Sequence, residues 1–115
     1  MSRILLVADN QTGARQLAEA LKADGFHVET APGADHLDHL LPNGFDAVLC
    51  DLTHSVDCVS LCQRIKDDPT SSHLPVVLRV EQSQVAEVRR GLKAGASRVL
   101  LRGQDPAEVS RRLRR

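Results

Sequence analysis

Short apolar runs alternate with amphipathic segments along the whole chain. Four runs are continuously apolar, at residues 4–8, 47–50, 76–78 and 99–101, and a fifth, at 27–31, alternates between polar and apolar positions. A continuous apolar run is typical of a strand buried on both faces, whereas alternation is typical of a strand that is partly exposed. The pattern predicts five strands, with the second at an edge of the sheet.

Apolar residues at helical spacing follow each predicted strand. The clearest case is the third helix, in which the apolar positions recur at i, i+3, i+4 and i+7. The apolar stripes of the five predicted helices are Ala14, Leu17, Ala18 and Leu21; Leu37, Leu40 and Leu41; Cys58, Leu61, Cys62 and Ile65; Val85, Val88 and Leu92; and Val109 and Leu113. Strict alternation of strands and helices implies a parallel sheet with helices on both faces. Right-handed crossovers then favour a flavodoxin-like, doubly wound (βα)5 fold with strand order 2-1-3-4-5.

The composition fits a single domain over residues 1–115. A hydrophobic fraction of 42% is enough for a core without a metal or disulfide. With 2% aromatic residues and no helix-turn-helix pattern, direct nucleic-acid binding is not expected. No run of about 18 apolar residues and no signal peptide is present, and the three cysteines lack paired metal-ligand spacing, so we expect a cytoplasmic protein with buried thiols and no membrane association.

Charge is distributed unevenly although the net charge is zero. Residues 1–60 contain nine acidic and three basic side chains, and residues 86–115 contain three acidic and nine basic ones. The basic end indicates a surface for a partner protein, although a solvated helix face explains the same pattern. The side chains that would form this surface are Arg89, Arg90, Lys93, Arg111 and Arg112.

Two acidic residues follow neighbouring strands of the predicted sheet. Asp9 follows the first strand and Asp51 the third, and ligands of open parallel sheets collect where these strand ends meet. Two carboxylates form an oxygen site that suits Mg²⁺, and a carboxylate beside Mg²⁺ can attack a phosphoryl group. Arg102, after the fifth strand, would pair with the resulting acyl phosphate. The alternative is that these acids only cap helices; the three residues together favour a site.

The whole chain resembles the receiver domain of response regulators. The resemblance is carried by five stretches in a fixed order and spacing, at residues 25–31, 45–52, 65–70, 74–77 and 91–96. It implies that Asp51 accepts phosphate from a histidine kinase or phosphotransfer protein. It also implies that Mg²⁺ is bound by Asp9, Asp51 and the backbone carbonyl of Thr53. The stretch 62–70 is similar to receivers that are coupled to diguanylate cyclase outputs.

The sequence departs from the receiver pattern at its switch positions. The hydroxyl residue that ends strand four in the family falls on Val80, and the aromatic residue of strand five falls on Val99. The acidic pair after strand one is reduced to Asp9, and the family lysine falls on Arg102, which is not equivalent to lysine in reach or geometry. The resemblance therefore implies a degenerate, or pseudo-receiver, domain in which Mg²⁺ binding is weak or absent.

Two functional hypotheses remain open, and neither makes the chain an enzyme. In one, the domain is a regulatory module that docks on a signalling partner, or forms a homodimer, through the basic fourth and fifth helices. In the other, Asp51 accepts phosphate with Mg²⁺. A hydrolase is disfavoured because only His54 could act as a second acid or base. The short last helix, followed by a basic end, suggests a piece of a longer protein with a covalently linked output domain.

Two further clusters have structural interpretations that we prefer. His36 and His39, with Asp35 and Asp38, could share a metal, but no third ligand is evident and an exposed helix face explains them better. The cysteines of the third helix lie on its apolar stripe, and they are expected to pack in the core.

Overall fold

The computed structural model describes residues 2–33, 44–101 and 106–113. Its strands are β1 (Arg3–Ala8), β2 (His27–Ala31), β3 (Ala47–Asp51), β4 (Val76–Val80) and β5 (Arg98–Leu101). Its helices are α1 (Gln11–Ala23), α2 (Ser55–Asp67), α3 (Val85–Lys93) and α4 (Pro106–Leu113). A short 3-10 helix, Gln82–Gln84, precedes α3.

The five strands form one parallel sheet in the order β2-β1-β3-β4-β5. The predicted doubly wound fold and strand order are therefore confirmed. β4 continues two residues beyond the predicted run, through Arg79 to Val80. The predicted first, third, fourth and fifth helices correspond to α1, α2, α3 and α4, while the stripe Leu37, Leu40 and Leu41 lies outside the described residues.

Two hydrophobic clusters cover the two faces of the sheet. On one face, Leu17 and Leu21 of α1 and Val109 of α4 pack with apolar residues of β1, β3 and β4. On the other face, Cys58, Cys62 and other residues of α2 pack with the alternate residues of the same strands. Because strand side chains point to opposite faces in turn, β1, β3 and β4 must be apolar at almost every position.

Local signals fix the ends of α1. The side chain of Asn10 accepts a hydrogen bond from the backbone N–H of Gly13 (3.1 Å), which caps the first turn. The helix ends at Ala23, and Gly25, two residues later, has a φ of 94° in the left-handed region that glycine tolerates. Within the described ranges, no helix is long and apolar enough to cross a membrane.

Candidate functional site

Asp9 and Asp51 lie at the same edge of the sheet, as the strand pattern predicts. β1 and β3 are neighbours, and Ala8 is paired in register with Asp51. Asp9 follows directly after this pair. The Asp51 residue is 7% exposed, whereas Asp9 is exposed. The carboxyl ends of β1 and β3 therefore bring one buried and one exposed acid to a common rim.

The carboxylate of Asp9 is held by Thr53. The backbone N–H of Thr53 donates to both Asp9 oxygens, at 2.9 and 3.0 Å, and the Thr53 hydroxyl donates to Oδ1 at 2.8 Å. Hydrogen bonds from a neutral donor to a carboxylate are stronger than those between neutral groups. The segment after β3 is thus tied to the end of β1 through side-chain and backbone donors of one residue.

The carboxylate of Asp51 forms an ion pair with Arg79 of β4. Nη1 of Arg79 lies 3.1 Å from Oδ2 of Asp51, and the two side chains are only 12% and 9% exposed. β3 and β4 are paired as far as Cys50 and Leu78, so these charged residues stand one position beyond the last pair. The sequence analysis missed Arg79, although a single charge within the buried run Val76–Val80 is a visible signal.

The switch positions of the receiver pattern lie on the other face of the sheet from this ion pair. Val80 is 1% exposed and belongs to the hydrophobic cluster that faces α2, against which the half-buried Val99 also packs. The Cys50 thiol is buried in the same cluster, and its interaction with the Cys58 side chain, together with burial, raises its pKa well above the usual value. Cys50 is therefore a neutral residue on the face of the sheet opposite the Asp51 side chain.

Some of the candidate residues lie outside the described part of the chain. Arg102 and the cluster of His36 and His39 lie outside the described residues. His54 is exposed; it is the N-cap residue of α2, but its side chain makes no capping hydrogen bond. Over residues 2–33, 44–101 and 106–113, no group of three or more His, Cys, Asp or Glu side chains is placed to bind a metal.

Three basic side chains are exposed on α3. They are Arg89, Arg90 and Lys93, and the nearby Leu92 is 55% exposed. On α4, the exposed Arg111 pairs with Glu108 one turn earlier. The side chain of Arg112 is outside the described part of α4. The basic surface on α3 therefore consists of three cations beside an exposed leucine, and its role as an interface stays a prediction.

Comparison with known proteins assigns the chain to one family. Residues 4–114 match the family described as "Response regulator receiver domain". The chain belongs to the response regulator receiver family. Receiver domains are not themselves catalytic; they interact with histidine kinases or phosphotransfer proteins and often carry output domains.

Similar proteins support this assignment. The chain is 33% identical over 115 residues to the response regulator PleD of Caulobacter vibrioides, covering 98% of the chain and 25% of PleD. It is 32% identical over 109 residues to a gliding motility regulatory protein of Myxococcus xanthus, covering 93% of the chain and 14% of that protein. The receiver thus spans a quarter or less of the length of these two relatives.

Solved structures show the same fold. A putative response regulator from Chloroflexus aurantiacus superposes with a TM-score of 0.89 at 28% identity, covering 98% of this chain and 94% of that one. The receiver domain of a sensor histidine kinase from Pseudomonas aeruginosa gives a TM-score of 0.83 at 23% identity, again covering 98% and 94%. The latter structure has a magnesium ion coordinated in its active-site cleft.

Receiver domains bind Mg²⁺ at their active site, but the described residues here do not form a ready site for it. Mg²⁺ requires near-octahedral oxygen ligands at about 2.0–2.1 Å. One oxygen of Asp51 already pairs with a guanidinium at 3.1 Å, and both oxygens of Asp9 accept hydrogen bonds from Thr53. A metal ion would have to compete with these contacts.

Proposed function

We propose that the chain is a degenerate receiver that serves two-component signalling as a regulatory interaction module and does not switch on phosphorylation. The observation that carries the proposal is Val80 at the carboxyl end of β4, 1% exposed and packed in the core. The family resemblance puts the phosphate-binding hydroxyl at this position, and a valine side chain has no hydrogen bond to donate. Without this donor, a phosphoryl group on Asp51 has no means of pulling the end of β4 toward it.

The same proposal assigns docking to the basic surface on α3. Arg89, Arg90 and Lys93 give this surface a positive charge, and the exposed Leu92 supplies apolar contact area beside them. Charge complementarity indicates a partner protein with an acidic surface. Sedimentation at low and physiological salt tests whether that acidic surface is the residue 1–60 half of a second copy, which would produce a salt-sensitive homodimer.

The family membership supports proposals about the compartment of the module, its partners and a linked domain. We propose a cytoplasmic protein whose partners are a histidine kinase, a phosphotransfer protein or another signalling protein. Since the chain spans 25% of PleD, we also propose a covalently linked output domain, with a diguanylate cyclase as the first class to test. Mg²⁺ binding is proposed to be weak or absent.

A second candidate function is Mg²⁺-dependent phosphate acceptance by Asp51. It is favoured by one observation, the placement of Asp51 in register with Ala8 and next to Asp9 at the rim. Arg102, at the position of the family lysine, would pair with the phosphate in this alternative. The two candidates differ in whether a phosphodonor modifies Asp51.

The test is incubation of the chain with acetyl phosphate and MgCl2, followed by intact mass spectrometry. Asp51→Asn is the matched control, and a receiver with known acceptor activity, treated in parallel, shows that the donor is active. We expect no adduct on the wild-type chain. An adduct on most molecules that disappears in Asp51→Asn would establish the phosphoacceptor and refute the non-switching module.

A further inference from the structure

The ion pair at the rim joins two buried side chains on adjacent strands. Asp51 ends β3, and Arg79 occupies the next-to-last position of β4. By strand alternation, both side chains project to the face that carries Leu49 and Val77, under α1 and α4. The guanidinium of Arg79 therefore contacts the carboxylate of the adjacent strand on the same face of the sheet. The other residues of β4 are all apolar.

A charged side chain is costly to bury unless it has a partner. The Arg79 side chain is 12% exposed and that of Asp51 9% exposed, so each charge has lost most of its hydration, and the ion pair compensates part of this loss. The guanidinium also offers N–H donors in a plane that matches a carboxylate. The structure therefore places a basic group of the chain itself directly against Asp51.

A divalent cation and a guanidinium would compete for this carboxylate. A divalent cation beside Asp51 would be repelled by the guanidinium, and the repulsion is twice that between two single charges at the same distance. The second acid, Asp9, already accepts hydrogen bonds from the N–H and hydroxyl of Thr53, which uses part of its acceptor capacity. Each carboxylate at the rim is supplied with a partner by the chain itself.

We propose that Arg79 is a tethered counter-cation that takes the place of the divalent metal at Asp51. It is a positioning residue that fixes the ionised carboxylate at the end of β3 without a metal ion. The inference rests on the proposed function insofar as both place Asp51 at the receiver site. Its consequence is specific: removing the guanidinium creates a Mg²⁺ requirement that the wild-type chain does not have.

The test compares the thermal midpoint of unfolding with and without about 10 mM MgCl2, at matched ionic strength, for the whole chain. We expect no shift for wild type and a rise of several degrees for Arg79→Met, lost again when Asp51→Asn is added. Arg79→Lys keeps a cation on β4 and is expected to stay insensitive. Arg15→Met, at an exposed arginine on α1 that belongs neither to the rim nor to the basic surface, is the matched control.

Calorimetric titration with Mg²⁺ gives the same comparison as an affinity. Arg79→Met is expected to bind at least about tenfold more tightly than wild type. Submillimolar binding to wild type that is lost in Asp51→Asn would overturn the proposal, as would a folded Arg79→Met that gains no affinity. If Arg79→Met does not fold, the wild-type titration decides between these outcomes.

This result is separable from that of the phosphodonor experiment. A wild-type chain that binds no Mg²⁺ but becomes phosphorylated at Asp51 would contradict the proposed function and leave the role of Arg79 intact. A chain that binds Mg²⁺ tightly but forms no adduct would contradict the role of Arg79 and the proposed weak Mg²⁺ binding, and would leave the non-switching module intact.

Discussion

Breaking the ion pair between Asp51 and Arg79 should cost a large fraction of the stability of this domain. Nη1 of Arg79 and Oδ2 of Asp51 are 3.1 Å apart, and both side chains are about nine-tenths buried. Two unit charges about 4 Å apart attract each other by about 4 kcal/mol at an effective dielectric constant of 20. Removing one partner of a buried pair costs about 3–5 kcal/mol in known cases. Because both residues also have other interactions, we expect Arg79→Met to lower the free energy of unfolding by a smaller amount, about 2–4 kcal/mol.

A double-mutant cycle isolates the pair from the other contacts of both residues. The four proteins are wild type, Arg79→Met, Asp51→Leu and the double variant, unfolded in urea and followed by far-UV circular dichroism because the chain has no Trp or Tyr. The expected coupling energy is about 2–3 kcal/mol, since each single variant strands a buried charge and the double variant does not.

The exposed pair of Arg111 and Glu108 on α4 provides the matched control cycle. Its side chains are 58% and 33% exposed, so the expected coupling is no more than about 0.5 kcal/mol. A coupling between Asp51 and Arg79 that is equally small would refute the reasoning, because the pair would then carry no more energy than a solvated one.

Two further variants test the surroundings of the rim. Thr53→Val removes the hydroxyl that donates to Asp9 but keeps the backbone N–H, and we expect a loss of about 0.5–1.5 kcal/mol in the free energy of unfolding, recovered in Thr53→Ser. In α3, a Cβ on Gly91 would lie 2.5 Å from Cδ1 of the buried Leu78, so Gly91→Ala should destabilise by about 1 kcal/mol despite its better helix propensity. The control is Gly13→Ala in α1, where a Cβ would have nothing nearer than 3.8 Å and should stabilise. Urea unfolding measures both comparisons; a stabilising Gly91→Ala would show that Leu78 can move at little cost.

The fold could be predicted because its cause is visible in the order of the residues. Strands buried on both faces need continuous apolar runs, and amphipathic helices need a stripe, so β1, β3 and β4 and the helices α1 to α4 follow from periodicity. The meeting of Asp9 and Asp51 follows in turn, because both acids end neighbouring parallel strands.

The partners of these acids could not be predicted in the same way. The apolar pattern ended the fourth strand at Leu78, so the sequence analysis gave Arg79 no position in the sheet. Only the paired register of β3 and β4 shows that a side chain as long as arginine reaches Asp51 from the next strand. The bond of Thr53 to Asp9 depends on the path of the chain after β3, which no periodic pattern encodes.

The most direct test of a non-switching receiver is the two-dimensional ¹H–¹⁵N spectrum of the chain before and after addition of beryllofluoride and Mg²⁺. Beryllofluoride mimics a phosphoryl group on an aspartate, so a switching receiver would shift its amide signals at the carboxyl ends of β4 and β5. We predict that the amides of Val80, Glu81 and Val99 keep their positions. Large shifts at these residues that are absent in Asp51→Asn would contradict the account.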